Sequence, residues 1–407
     1  MHRGLFIAIV SFLFIFICSC DNDVNGGKHE FNGVQKGDTA VRTLLVYMMA
    51  ENSLGVNFDS LDIKEVAEAA VDVPSDCRLF VFVDDESHPR ILQFYNIDGE
   101  GANETLHPFA DDICSSDTAS LGATLRFLLD DYPTRSLDIV LWSHGDGWLP
   151  GKHAAPMRSV GIDNGWNGFS NISESVIEMD ELATMLENLP VKVNRLMFDA
   201  CFMQCVEVAY ALRNAVEWII ASPAEIPGNG APYNTVVGAF FASDGVEEIL
   251  ECYKAAYEGE YMGVVLSAAY MPAMQQLADI TYAPVCNYFN INKKRDYIDV
   301  FAYLPGGVRT ASWTMPCFYD ANAVMKKYLS ASEYAIWSEA LSKAVPHLVT
   351  TGEWYSSYKG RVLPVDTLSF GGISMYMPQT SSYNVALNDA FSRTEWYRAA
   401  GWEMAGW

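Results

Sequence analysis

The sequence predicts an α/β fold in which a mainly parallel central sheet is flanked by helices. Short, continuous apolar runs alternate along the chain with longer segments of helical periodicity, as in sheets covered on both faces. Half of the 407 residues are hydrophobic and 19% are charged, so a large core can be buried. The basic cluster Asn292–Arg295 and the Trp- and Tyr-rich tail beyond Asn287 predict an additional C-terminal subdomain.

The individual elements follow from periodicity and residue type. The predicted strands are Thr43–Met49, Arg78–Val83, Ile91–Ile97, Leu137–Trp142, Arg195–Phe198, Trp218–Ala221 and Ile373–Met377. The predicted helices are Ser60–Ala70, Ala119–Leu129, Val176–Leu189 and Val206–Asn214. Because chemistry in parallel sheets sits at the carboxyl ends of the strands, reactive residues directly after a strand are the first candidates for a site.

The N-terminus is typical of a signal peptide of the lipoprotein type, covering residues 1–19. Arg3 precedes the apolar run Leu5–Ile17, which is shorter than the ~20 residues needed to span a bilayer. The ending Ile-Cys-Ser-Cys resembles a bacterial lipobox, with Ile17 where Leu is usual and Cys20 as the lipidated residue. A plain cleaved signal is the alternative. Residues 20–39 are polar and predict a flexible tether.

These features predict an exported bacterial lipoprotein of the cell envelope or cell surface, held at a membrane by its lipid anchor. The formal net charge is −25, from 26 basic and 51 acidic residues. Nucleic acid is excluded as a partner because the electrostatic attraction that drives such binding would have the wrong sign. An acidic surface favours cationic partners, including peptides rich in Lys or Arg.

The cysteine count predicts that at least one cysteine is free or pairs between molecules. Of nine cysteines, Cys18 leaves with the signal peptide and Cys20 is lipidated, which leaves an odd number. The remaining cysteines show no C-x-x-C pairs, so no zinc or other metal site is predicted.

Two strand ends carry reactive residue types. His144 follows the strand Leu137–Trp142, and Cys201 follows the strand Arg195–Phe198. Adjacent parallel strands joined by a crossover would bring the two side chains together. An imidazole beside a thiol can take the thiol proton and later protonate a leaving amine, which indicates acyl transfer. Without further evidence, Cys201 can also be interpreted as a core residue and His144 as a structural residue.

The flanking residues favour the chemical interpretation. Ser143–Trp148 (SHGDGW), Phe198–Met203 (FDACFM) and the following Val206–Tyr210 (VEVAY) resemble the two signature blocks of the clostripain-like cysteine peptidases, which share a clan with caspases, gingipains and legumain. The resemblance covers Thr43–Tyr233 well and the C-terminal third loosely. It implies a caspase-like three-layer fold, with a peptidase domain over residues 40–286 and the subdomain over residues 287–407.

The resemblance also implies residue roles. Cys201 would be the nucleophile and His144 the general base and acid, while the N–H groups of Gly145 and Cys201 would hold the oxyanion. Asp199 would line the pocket for an Arg or Lys side chain before the scissile bond. The alternative for Asp199 is a strand-end carboxylate that orders its loop.

The second pocket acid of many family members is missing from its expected place. Asn229 stands where that acid is expected, and Glu225 is the nearest charge. The choice between Arg, Lys and another residue before the scissile bond therefore stays open.

A loop rich in Gly, Pro, Ser and Asn, Leu149–Asn171, separates the two blocks. The resemblance implies a zymogen that cuts itself there after a basic residue. Arg158 is the first candidate and Lys152 the second, and an uncut loop is the alternative. The product would be a monomer of two associated fragments, because the cut lies between paired strands.

The predicted function is an exported cysteine endopeptidase that cleaves peptide or protein substrates after basic residues. The alternative is a non-catalytic surface lipoprotein that binds peptide or glycan on the same fold. The dyad requires no cofactor. Clostripain itself is associated with calcium, so the resemblance leaves open whether this chain binds a calcium ion. The acidic clusters Asp84–Glu86 and Asp111–Asp112 are predicted to be solvated faces.

Overall fold

A nine-stranded sheet forms the centre of the molecule in the computed structural model, which describes residues 33–407 except 56, 150–159, 166–175, 243–244, 294, 296, 298, 305–317 and 382–383. The strands of this sheet are β1 (Arg42–Met49), β2 (Cys77–Asp84), β3 (Arg90–Ile97), β4 (Glu100–Pro108), β5 (Leu137–Trp142), β6 (Val193–Asp199), β7 (Val216–Ala221), β8 (Val265–Tyr270) and β10 (His347–Thr350). Their order across the sheet is β10-β8-β7-β6-β5-β1-β2-β3-β4. The five central strands β2, β1, β5, β6 and β7 are parallel, and the flanking strands are antiparallel.

Helices cover both faces of the sheet. They are α1 (Asp59–Ala69), α2 (Thr118–Asp131), α3 (Met179–Glu187), α4 (Val206–Ala211), α5 (Tyr233–Phe241), α6 (Gly245–Tyr257), α7 (Met274–Tyr288), α8 (Ala321–Tyr328), α9 (Ala331–Ala344), α10 (Val385–Phe391) and α11 (Glu395–Ala399). Apolar residues of α1, α5 and α6 pack in one core, and those of α2, α3, α4 and α7 pack in the other. The predicted α/β fold with its central sheet between two helical layers is confirmed.

The elements named from the sequence are present, with small shifts at their ends. The largest shifts are of three residues: the helix predicted from Val176 begins at Met179 as α3, and the helix predicted to end at Asn214 ends at Ala211 as α4. Ile177 instead donates its backbone N–H to the carbonyl of Val160 at 3.0 Å, in an antiparallel bridge. Strand β4 escaped prediction because it is a largely exposed edge strand of mostly polar residues.

The C-terminal third is joined to the main sheet through β10, which pairs with β8. Two small antiparallel ladders complete the sheet structure in this region: β9 (Tyr319–Asp320) with β13 (Ser374–Met375), and β11 (Glu353–Ser356) with β12 (Arg361–Pro364). Residues Asn32–Trp407 form one compact unit. The subdomain boundary between residues 286 and 287 stays a prediction.

The end of the predicted tether contacts this unit. The Arg78 guanidinium donates to the carbonyls of Gln35 and Asp38, both at 2.7 Å, and Lys36 pairs with Asp131 at 2.7 Å. Within the described part of the chain, no helix combines the length and apolar character needed to cross a bilayer. The predicted signal peptide and Cys20 lie outside the described residues.

Candidate active site

The pairing of β5 with β6 places the two reactive residues on one edge of the sheet. The strands are parallel, and Trp142 lies opposite Asp199 in the register, so the segments that follow both strands leave at the same level. His144, Cys201 and Asp199 line a single pocket of about 250 Å³. The predicted meeting of the histidine and the cysteine in one cleft therefore occurs in the structure.

The His144 and Cys201 segments touch each other through a glycine. A Cβ atom on Gly145 would lie 2.9 Å from the carbonyl oxygen of Cys201 and 2.9 Å from the sulfur of Met203. Such distances are too short for any side chain, so this approach requires glycine. Phe202, which directly follows Cys201, has a φ of 61°, an unusual conformation for a non-glycine residue.

Cys201 is half-buried, and its sulfur accepts a hydrogen bond from the backbone N–H of Ile226 at 3.4 Å. Burial raises the pKa of the Cys201 thiol to about 12, and the carboxylates of Glu225 and Asp146 act in the same direction. The thiol is therefore neutral at pH 7 in this environment. A nucleophilic role requires a base that removes the proton during attack.

His144 sits in a loop that is tied to neighbouring segments on two sides. Its Nε2 atom lies 3.0 Å from the hydroxyl oxygen of Ser53, and its backbone carbonyl accepts from the N–H of Gly161 at 3.0 Å. Ser53 comes from the segment after β1, and Gly161 follows the predicted cleavage loop. The position of the imidazole thus depends on both segments, and the contact with Ser53 was not predicted.

Asp199, the last residue of β6, is only 3% exposed. Its carboxylate accepts hydrogen bonds from the N–H of Ala231 at 3.0 Å and from the hydroxyls of Tyr233 at 2.9 Å and Tyr253 at 3.3 Å. Burial raises the pKa of this carboxyl, and the three donors oppose the shift. Asp199 therefore orders its surroundings and also lines the pocket, and its contact with a basic substrate side chain stays a prediction.

The same pocket is also lined by Glu225, which is 5% exposed. Its Oε1 atom accepts from the backbone N–H of Ser357 at 2.8 Å, and its Oε2 atom has no hydrogen-bond partner among the residues that the structure describes. Tyr355 and Ser357 also line the pocket and come from the C-terminal third. The sequence carried no signal for these wall residues, because they lie far along the chain from the motifs.

Several other residues take structural positions. Trp148 is buried and packs against Tyr376 at 5.0 Å and Phe391 at 5.7 Å between ring centroids. Cys205 is buried in the core, which confirms its interpretation as a packing residue. The described cysteines are all free: Cys77, Cys114, Cys201, Cys205, Cys252 and Cys286. The predicted cleavage residues Lys152 and Arg158 lie outside the described residues.

The neighbouring strand ends carry an acidic cluster. Glu51, Asp84 and Asp112 each place one carboxylate oxygen within 4.8 Å of the others. The prediction of a solvated face is wrong for Asp84 and Asp85, which are 0% and 9% exposed. Burial and the carboxylate of Asp163 raise the pKa of Asp84 to about 9. The strand-end rule that found His144 and Cys201 could have found Glu51 and Asp84, whereas Asp112 lies in the loop before α2.

Comparison with known proteins decides the family. The model of the clostripain family matches residues 46–407. The chain belongs to the clostripain family. It is a cysteine peptidase, a hydrolase, and this membership favours catalysis over the alternative of a binding lipoprotein. A search among curated proteins gives no match.

Three solved structures similar to this clostripain-family peptidase are proteases, two of them C11 proteases. A secreted C11 cysteine protease from Bacteroides thetaiotaomicron, in complex with an irreversible peptide inhibitor, is 28% identical, with a TM-score of 0.76, covering 90% of this chain and 100% of that chain. An inactive zymogen C11 protease from Parabacteroides distasonis is 26% identical, with a TM-score of 0.75 and coverages of 89% and 98%. A B. fragilis cysteine protease is 30% identical, with a TM-score of 0.52 and coverages of 59% and 99%.

Proposed function

We propose that this peptidase is an exported endopeptidase that cleaves peptide bonds after Arg or Lys by a Cys201–His144 dyad. The observation that carries the proposal is the shared pocket, in which the thiol, the imidazole and the buried carboxylate of Asp199 come together. The thiol and imidazole supply the chemistry, and the carboxylate supplies the preference for a cationic side chain.

The reaction is an acyl transfer through a thioester. The sulfur of Cys201 attacks the scissile carbonyl carbon while the imidazole of His144 takes the thiol proton. When the carbon–nitrogen bond breaks, the imidazolium returns that proton to the leaving amine. Water then attacks the thioester, with His144 again as the base, and releases the carboxylic acid and the free thiol.

The tetrahedral intermediate needs donors for its oxyanion. Neither the N–H of Gly145 nor that of Cys201 donates to a carbonyl within the described parts of the chain. Both belong to the two segments that meet at the pocket, where Gly145 packs directly against Cys201. These two N–H groups are therefore the proposed oxyanion hole.

A basic side chain would enter between two carboxylates. Asp199 is held by Ala231, Tyr233 and Tyr253, and Glu225 keeps one carboxylate oxygen without a partner among the described residues. A guanidinium or ammonium group between them would neutralise charge that is costly to bury alone. Glu225 would thus supply the second acid that Asn229 lacks.

Self-cleavage is proposed in the loop that contains Arg158 and Lys152. Val160 bridges Gly145 on one side and Ile177 on the other, so the chain after the loop is paired with the active-site segment. Strands β5 and β6 stay neighbours whether or not the loop is cut, which supports two associated fragments. The zymogen state of the similar Parabacteroides distasonis protease is in line with such activation.

Export by the N-terminal signal, with lipidation at Cys20 and attachment to a membrane, is part of the proposal. This part is supported by the order of a basic residue, an apolar run and Cys20 at the start of the chain. The similar Bacteroides thetaiotaomicron protease is also a secreted protein. No cofactor is proposed for the dyad chemistry itself.

Fluorogenic peptides that differ only in the residue before the scissile bond, Arg, Lys, Ala or Asp, test this function. The full-length chain carrying Cys20→Ala, which keeps it free of lipid, is compared with the same chain carrying Cys201→Ala. Cys252→Ser, at a half-buried thiol outside the pocket, is the matched control. We expect hydrolysis of the Arg and Lys peptides that Cys201→Ala abolishes and Cys252→Ser retains. Cys201-dependent hydrolysis of the Ala or Asp peptide alone would contradict the proposed pocket.

The cleavage proposal has its own measurement. Gel electrophoresis and N-terminal sequencing should show two fragments with a new terminus at Ser159, and Arg158→Ala should move or prevent the cut. Cys201→Ala should stay one chain. Cutting of Cys201→Ala at the same bond would show that another protease makes it.

A further inference from the structure

One aromatic side chain from the C-terminal third contacts both segments that carry the proposed dyad. Phe318 is only 1% exposed, and its ring stacks on that of Phe202 with a centroid distance of 4.8 Å and an interplanar angle of 13°. Phe202 directly follows Cys201 in the chain. The ring of Phe318 therefore covers the residue next to the proposed nucleophile.

The same ring packs against the segment that follows His144. A Cβ atom on Gly147 would lie 2.8 Å from Cε1 of Phe318 and 2.9 Å from the carbonyl oxygen of Phe202. Gly147 has a φ of 66°, so its backbone conformation and its surroundings both require glycine. The backbone of Gly147 therefore packs against Phe318 and against the backbone of Phe202 at once.

Phe202 depends on such contacts because its backbone is strained. Its φ of 61° lies in the left-handed region, which a bulky side chain adopts only where the surrounding structure holds it in place. The N–H of Phe202 donates to the carbonyl of Ala224 at 2.9 Å. The rings of Phe318 and Tyr358 pack against its side chain, the second with a centroid distance of 6.3 Å. Both rings belong to the C-terminal third.

Backbone pairing fixes the position of Phe318 relative to Cys201. The chain continues from Phe318 directly into β9, which pairs with β13. Ser374 of β13 forms a parallel bridge with Cys205, and its N–H donates to the carbonyl of Gln204 at 3.0 Å. The ring of Phe318 is therefore placed by strands that join the chain only three residues after Cys201.

We propose that Phe318 is a positioning residue for the dyad: its ring holds the Cys201 and His144 segments in the arrangement that attack on a peptide bond requires. A displacement of about 1 Å between reacting groups can lower a rate by roughly 10²-fold. Phe318 does not line the pocket, so it acts through Phe202 and Gly147 and not on the substrate. This role rests on the proposed function, whereas the contacts themselves do not.

A ring that served packing alone would behave differently from a positioning residue. Removal of any buried aromatic ring leaves a cavity and lowers stability. Removal of a positioning ring lowers kcat as well and changes KM little, since the walls of the pocket remain. Phe289 is the matched control: it is also 1% exposed, packs against Tyr328 and Trp402, and does not line the pocket.

Steady-state kinetics and melting temperatures of the full-length Cys20→Ala chain test this role. We expect Phe318→Ala to lower kcat on the preferred peptide at least ~10-fold, with KM within about three-fold of the parent value. Phe318→Leu fills part of the space without a flat ring for Phe202, so its kcat should fall by about three-fold. Phe289→Ala should lower the melting temperature about as much as Phe318→Ala does and keep the parent kcat.

Alkylation of Cys201 by iodoacetamide gives a second readout that needs no substrate. Mass spectrometry of the peptide that contains Cys201 separates this thiol from the other free cysteines. In the parent chain, His144→Ala should slow alkylation about ten-fold, because the thiolate reacts and the imidazole promotes its formation. In Phe318→Ala, the same substitution should slow alkylation by about two-fold at most, because the two side chains no longer act together.

Full kcat in both Phe318 variants, in a chain whose activity depends on His144 and Cys201, would overturn the positioning role and leave the dyad standing. Equal losses of kcat in Phe318→Ala and Phe289→Ala would also overturn it, since any cavity would then have the same effect. Should Phe318→Ala not fold, the parent kcat in Phe318→Leu would decide against the role. No hydrolysis by the parent chain, with alkylation that does not depend on His144, would contradict the proposed function and the positioning role with it.

Discussion

Two pairs of strand ends lie side by side on one edge of the sheet: those of β5 and β6, and those of β1 and β2. They differ in their access to solvent. His144 and Cys201 follow β5 and β6 and face a pocket that a substrate can enter. Asp84 and Glu51, at the ends of β2 and β1, are closed off from solvent. The same position in the fold therefore places the proposed dyad at a pocket on one side and buries carboxylates on the other.

The largest effect is expected at the pocket side of this comparison. His144→Ala and Cys201→Ala should each lower kcat/KM by at least ~10³, since the base and nucleophile act as one unit. Ser53→Ala removes only the contact between the two regions and should cost less than about ten-fold. Steady-state kinetics with the preferred peptide measures kcat/KM of all three variants. A loss in Ser53→Ala equal to that in His144→Ala would contradict this order and mean that the contact with Ser53 is as important as the imidazole itself.

Removal of the charge of Asp199 should give the next largest loss of kcat/KM. Asp199→Asn should lower kcat/KM for an Arg peptide by roughly 10²–10³, as expected when a buried charge pair loses one member. An Ala peptide should lose little. Tyr253→Phe is the control because it removes one hydrogen bond to Asp199 and keeps the charge. Equal losses on both peptides in Asp199→Asn would indicate an ordering role only.

Glu225 should contribute a smaller share of the same preference. Glu225→Gln keeps the shape of the side chain and removes its charge, so we expect about a ten-fold loss of kcat/KM on Arg and Lys peptides. The matched control is Ser357→Ala, which removes a hydroxyl contact with Glu225 but leaves the backbone N–H that also donates to it. Unchanged selectivity between Arg and Ala peptides in Glu225→Gln would show that Asp199 suffices alone.

Asp62 is a buried acid that lies outside both regions and affects stability through its protonation. Asp62 on α1 accepts a hydrogen bond from the indole of Trp142 at 2.7 Å, and burial raises its pKa to about 9. Between the usual carboxyl pKa near ~4 and this value, the folded chain holds a proton that the unfolded chain lacks. Stability contributed by Asp62 therefore falls as the pH rises through this window.

Asp62→Asn removes that dependence. We expect the free energy of unfolding of the variant to gain on that of the parent chain as the pH rises from 5 to 9, by no more than about 1.4 kcal/mol per pH unit. Denaturant titration at several pH values measures the difference. A difference that stays constant with pH would mean that Asp62 is ionised in the folded chain.

Much of the fold could be predicted because its signals are local. The runs that became β1, β2, β5, β6 and β7 are apolar on both faces, as central parallel strands must be. Edge strand β4 lacked such a run because one side of it meets solvent. Helix α3 began later than its apolar spacing indicated, because Ile177 pairs with Val160 instead.

The sequence by itself determined the central strands and the family, and it named His144 and Cys201 as the proposed dyad, because apolar periodicity and the blocks around these two residues lie in consecutive residues. Only the tertiary structure decided that Ser357 braces Glu225 and that Glu51, Asp84 and Asp112 converge. These contacts join segments far apart in the chain, and their meeting depends on how strands order and loops pack. Burial then changes the chemistry, since an acid that would be a solvated charge on the surface becomes a group in need of a proton or a cation.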